Sequence, residues 1–99
     1  MDWQQLLDDC VDLTRRLIQT ESMSFEEAAL AELVAAELRM LGFDEVEIDG
    51  IGNVHGRVYG HNRTLPALVL NTHLDHVDPG DPSLWSVPPF GGEIVDGRI

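Results

Sequence analysis

Ala67-Leu68-Val69-Leu70-Asn71-Thr72-His73-Leu74-Asp75-His76-Val77-Asp78 is the stretch on which the fold turns. Its first four residues are a continuous apolar run, which predicts a central strand covered on both faces. Polar and ionisable side chains follow at once, so the strand hands over to a loop. In open α/β sheets, ligand sites gather outside the carboxyl ends of the strands. Residues two apart on an extended chain point the same way, so His73 and Asp75 can face one site. A neutral imidazole suits Zn²⁺, and a carboxylate beside it can bind metal or orient the ring. A His-x-Asp triplet also recurs by chance in solvated loops, and spacing by itself does not separate the two.

Upstream lie two helices. Residues 3 to 18 place Trp3, Leu6, Leu7, Cys10, Val11, Leu13, Leu17 and Ile18 mostly at helical spacing. Asp8 and Asp9 come early and Arg15 and Arg16 late, the order that suits the helix dipole. Cys10 falls on the apolar stripe and reads as a small buried hydrophobe. A second helix is expected to start at Ser24, where Ser24-Phe25-Glu26-Glu27 has the form of a capping box. Leu30, Leu33, Val34, Leu38 and Leu41 form its buried stripe. Gly42 then supplies the left-handed stop, with Phe43 folding back on Leu38.

Shorter patterns follow. Val46-Glu47-Ile48 and Asn53 to Tyr59 alternate as half-buried strands about the turn signal Asp49-Gly50. Beyond Asp78, itself a turn residue, the chain is loop-like, with Pro79, Pro82, Pro88 and Pro89. A short strand is expected at Glu93-Ile94-Val95, before Asp96-Gly97. Two helices, a strand pair and a buried strand predict an α/β layer arrangement.

Composition bounds the function. The formal net charge of -12, from 18 acidic and 6 basic residues, disfavours nucleic acid and anionic membrane as partners. The apolar share of 43% is that of an ordinary globular chain. A single cysteine excludes an internal disulfide and fits a reducing, cytoplasmic location. No signal peptide is apparent at the N-terminus, and no apolar run approaches the 20 or so residues that cross a bilayer.

A longer ordered series runs from Leu68 through His73, Asp75 and His76 to Gly80-Asp81, Trp85, Pro88-Pro89-Phe90, Gly92, Ile94 and Asp96-Gly97-Arg98-Ile99. With Leu17-Ile18, Ser22, Glu27, Leu41-Gly42-Phe43 and Gly52-Asn53-Val54 ahead of it, the series resembles the N-terminal region of the M20 metallopeptidases. That resemblance implies part of a zinc-peptidase-like α/β/α sandwich, with residues 1-99 as the N-terminal portion of its catalytic domain. It implies hydrolysis of amide bonds in a peptide or N-acyl amino acid by two zinc ions, for which cobalt or manganese could substitute. His73 is then the candidate metal ligand, and Asp75 the candidate catalytic carboxylate that positions the imidazole and tunes the metal. Trp85, Pro88, Pro89 and Phe90 would shape the adjoining loop, chiefly by packing. The family's bridging aspartate, glutamate pair and further ligand histidine have no counterpart in these 99 residues. Nor does its dimerisation domain, through which a homodimer would form. The chain alone is therefore expected to be an inactive piece of such an enzyme.

His76 and Asp78 depart from the family pattern, and His76 reads as a solvent-exposed loop residue. A non-enzymatic α/β binding or interaction module is the competing expectation. A serine hydrolase lacks its Gly-x-Ser-x-Gly, and the glycines miss dinucleotide-binding spacing.

Overall fold

Helix α2 spans Ala28–Met40 in the computed structural model, which describes residues 1–99. It carries Leu30, Ala31 and Ala35, the buried apolar residues of the chain. Leu33, Val34 and Leu38 are half-buried, while Leu41 at the helix end is exposed. Its stop is the expected one. Gly42 has φ +81°, and the amides of Gly42 and Phe43 donate to the carbonyls of Arg39 and Leu38, both at 3.1 Å. The sixth-to-first and fifth-to-second bonds so formed satisfy carbonyls that the helix end would leave open.

Its start differs from the expected capping box. Glu27 is the capping residue and lends no side-chain bond to the helix; its Oε1 accepts from the Phe25 amide at 2.9 Å instead. Phe25, between Ser24 and the helix, has φ +73°, and the helix begins only at Ala28. The Ser24 hydroxyl donates to Asp75 at 2.6 Å. A charged acceptor makes the stronger hydrogen bond, and the cap is forgone for it.

Strands β1 (Glu45–Ile48) and β2 (Val54–Arg57) form an antiparallel hairpin with Glu45 opposite Arg57 and Ile48 opposite Val54. Val46 and Ile48 are half-buried while Glu45 and Glu47 are exposed, as alternation predicts. The second strand is shorter than its pattern, leaving Val58 and Tyr59 outside the ladder. Gly56 is where the hairpin meets α2. A Cβ there would lie 2.9 Å from both Leu38 Cδ1 and Phe43 Cδ1.

Helix α1 spans Trp3–Ile18, with Asp2 accepting from the amides of Gln4 and Gln5. Arg16 joins it to α2 through Glu37 at 2.8 Å. None of its residues is buried, and Cys10 is exposed rather than packed, because nothing covers the face bearing Trp3 and Leu7.

Ala67 to Leu70 also departs from expectation. The segment is in no ladder, and Leu68, Val69 and Leu70 are 85%, 79% and 88% exposed. A strand exists only where a neighbour takes up its amides and carbonyls, and the hairpin is not such a neighbour here. At Glu93 to Val95 the expected strand reduces to one bridge between Val95 and Arg98. Asp96 and Gly97, at φ +51° and +73°, make the tight turn between them.

The α/β class, with helices ahead of strands, is therefore present with a small core. The radius of gyration is 16.2 Å, where a compact chain of this length has about 13 Å. The accessible surface of 8179 Å² exceeds the roughly 5,600 Å² of a compact protein of 11.0 kDa. No helix is long and apolar enough to cross a membrane.

Candidate functional site

The segment Leu74 to His76 is fastened to the connection between α1 and α2, and this fixes the candidate site. Ser22, 2% exposed, is the anchor. Its hydroxyl donates to the Leu74 carbonyl at 2.8 Å, and its carbonyl accepts from the His76 amide at 3.0 Å. Its own amide donates to His76 Nε2 at 2.9 Å. Met23 and His76 form a parallel bridge beside these bonds.

His76 is thus a half-buried clasp, not the solvent-exposed loop residue its sequence context predicts. Its Nδ1 lies 2.8 Å from the Val77 carbonyl, which can only accept, so Nδ1 carries the hydrogen. Nε2 accepts from Ser22, so the ring is the neutral Nδ1–H tautomer, fixed from both sides. Phe90 covers it with ring centroids 5.2 Å apart. The segment behind Phe90 is held by α1 and its C-terminal capping residue: Arg15 donates to the Gly92 carbonyl at 2.7 Å and Gln19 to that of Gly91 at 3.0 Å. Trp85 donates from its indole to the Pro79 carbonyl at 3.0 Å, closing the loop between.

His73 and Asp75 meet on this platform. His73 Nδ1 donates to the Asp75 carbonyl at 2.8 Å, with the Asp75 carboxylate Oδ1 at 3.2 Å. Both partners accept only, so the neutral ring has its hydrogen on Nδ1 and its lone pair on Nε2. The His73 side chain is 80% exposed and that of Asp75 40% exposed. Ser24, donating to the second carboxylate oxygen, and secondarily His73 hold the Asp75 carboxyl below its usual range against partial desolvation.

The ring therefore has one nitrogen occupied by oxygen acceptors and one free, the disposition that metal-bound histidines adopt. The rest of a metal site is not supplied by these residues. No group of three or more His, Cys, Asp or Glu side chains converges anywhere in the chain, whereas catalytic zinc takes three protein ligands. His73 fits a single ligand position, and no chemical step follows from it alone.

The other histidines stand apart. His55 Nε2 is 2.9 Å from Asp49 Oδ2 in the hairpin turn, and His61 lies exposed in a loop. Ser22, Ser24 and His76 are the site-building residues that sequence reasoning missed. The capping-box pattern did single out Ser24, but it pointed to the wrong partner.

No family model matches the chain, and no solved structure does. Curated proteins do match. A succinyl-diaminopimelate desuccinylase 2 of Ruegeria sp. (strain TM1040) is 38% identical over 93 residues, covering 92% of this chain and 23% of the relative. A succinyl-diaminopimelate desuccinylase of Methylococcus capsulatus (strain Bath) is 34% identical over 93 residues, with 94% and 24% covered. The uncharacterized protein YgeY of Escherichia coli (strain K12) is 33% identical over 94 residues, with 91% and 23% covered. The chain spans about a quarter of the length of these relatives. These matches bear out the resemblance to the M20 family, the similarity running over nine-tenths of this chain and about a quarter of each relative.

Proposed function

We propose that this chain carries the first metal-ligand segment of a zinc-dependent hydrolase that cleaves amide bonds in a peptide or N-acyl amino acid. One observation carries the reading: the exposed His73 ring, hydrogen-bonded to Asp75 through Nδ1 and free at Nε2. In that role His73 holds zinc through Nε2, and Asp75 orients the ring and raises its basicity. Bound zinc would polarise the scissile carbonyl and activate water. Cobalt or manganese could take its place.

Residues 1–99 then form the N-terminal portion of a catalytic domain. The remaining ligands and the general base come from elsewhere, so this portion is inactive by itself. Homodimerisation through a separate domain and a cytoplasmic location belong to the same reading. Matched relatives are named for succinyl-diaminopimelate, which makes N-succinyl amino acids the first substrates to test.

The test is hydrolysis of N-succinyl-diaminopimelate and N-acetyl amino acids by the protein at its full native length, supplied with zinc. His73→Ala is expected to lower kcat/KM about a thousandfold, in keeping with the several kcal/mol that a catalytic metal contributes. An active protein indifferent to His73→Ala would remove the assignment. Absence of both hydrolysis and His73-dependent zinc binding would favour the interaction module.

A further inference from the structure

We propose that Ser24 is a positioning residue for the His73–Asp75 pair: its hydroxyl, carried on the α1–α2 connection, ties down one oxygen of Asp75 and so aims the other at His73. The inference rests on His73 being a metal ligand.

The geometry is a relay of three side chains. Ser24 Oγ is 2.6 Å from Asp75 Oδ2, and Asp75 Oδ1 is 3.2 Å from His73 Nδ1. The terminal torsion of an aspartate is broad, so a carboxylate this exposed would otherwise sample many orientations. Ser24 removes that freedom. Its own place is set two residues earlier, where buried Ser22 makes its hydrogen bonds to Leu74 and His76.

Two local costs accompany the arrangement. Helix α2 goes without a side-chain cap although a serine stands at the expected position. Phe25 adopts φ +73°, unfavourable for a bulky residue, while its side chain is 99% exposed. Packing of the Phe25 ring does not account for that backbone. What the conformation achieves is delivery of the Ser24 hydroxyl to Asp75. Strain of this kind clusters at functional sites.

The test uses the protein at its full native length and reads zinc affinity by competition with a chromogenic chelator. Imidazole ¹⁵N NMR of the metal-free protein provides a second readout. Ser24→Ala is expected to weaken zinc binding about tenfold, the lower end of the effect of losing a hydrogen-bonded partner of a ligand. It should also shift the His73 Nδ1–H resonance. Ser24→Thr, which keeps the hydroxyl, should stay within about twofold of the parent and leave that resonance in place. Ser24→Cys, nearly isosteric and a weak donor, carries the same expectation as Ser24→Ala where the latter does not fold. Parent-like affinity in the alanine or cysteine variant, with binding lost in His73→Ala, would overturn the positioning role and leave the ligand assignment intact. Parent-like affinity in His73→Ala would overturn both.

Discussion

The chain holds two aspartate–histidine pairs, and they do different things. In the hairpin turn, Asp49 spends its whole carboxylate locally. Its Oδ1 accepts from the amides of Ile51 and Asn53, and its Oδ2 meets Asn53 Nδ2 and His55 Nε2, both at 2.9 Å. Asp75 divides its carboxylate between Ser24 and His73, and the imidazole it contacts uses Nδ1. His55 is 48% exposed and His73 80% exposed. Identical residue types thus yield a pair confined to one turn through Nε2 in one place and a more exposed pair tied to a distant segment, engaged through Nδ1, in the other. What separates them is where the aspartate's remaining bonds go: into its own turn, or across to a segment distant in sequence.

The largest effect should come from exchanging the two histidines' fates. His73→Ala should abolish most zinc-dependent hydrolysis at full native length, while His55→Ala should leave kcat/KM within about twofold, since no contact links His55 to a metal position. Comparable losses in steady-state assays of both would erase the distinction. Next in size is the clasp. His76→Ala leaves the buried Ser22 amide without an acceptor, at a cost of about 1–3 kcal/mol. Amide exchange at Ser22 should accelerate accordingly, and unchanged protection would show that the platform does not depend on this ring. On the hairpin side, Gly56→Ala should destabilise by about 1 kcal/mol, because the obstructing atoms belong to the Leu38 and Phe43 side chains, which can partly give way. A denaturation midpoint checks it.

The smallest effect is one of pH. His55 first, then Asn53 and the Ile51 amide, hold the Asp49 carboxyl far below its usual range. The folded value is lower than the unfolded one, so the pair's contribution to stability is full above about pH 4 and is lost as pH falls through the depressed value. An acid titration of the hairpin, followed by carboxyl ¹³C shifts, should show Asp49 still ionised where unfolded aspartates are protonated. In Asp49→Asn that part of the pH dependence should disappear.

Local signals were legible in the sequence where the physics was local. The stop of α2 at Gly42 follows from a backbone conformation that glycine alone adopts easily, and the alternation in β1 from the period of an extended chain. Ala67 to Leu70 shows the limit of such reasoning. An apolar run records what a strand needs on its two faces, but not whether the chain supplies a neighbour for its edges. Cys10 illustrates the same gap for a helix face. At the site, spacing allowed His73 and Asp75 to face one another, the family resemblance singled them out, and the two are brought together. Ser24 and His76 were misread because their partners lie 51 and 54 residues away, beyond the reach of any pattern in a short window.

That separation governs how the site comes together. Closing a loop of some 54 residues costs about 3.5 kcal/mol of chain entropy or more, and three hydrogen bonds at Ser22 return about 3 kcal/mol. The closure is therefore near balance without the Phe90 ring and the docking of residues 91 and 92 on α1. Helix α2 and its hairpin, whose contacts are close in sequence, are expected to form early, and the His73 segment to settle late and to open readily in native-state fluctuations, which amide exchange at Ser22 and His76 would report.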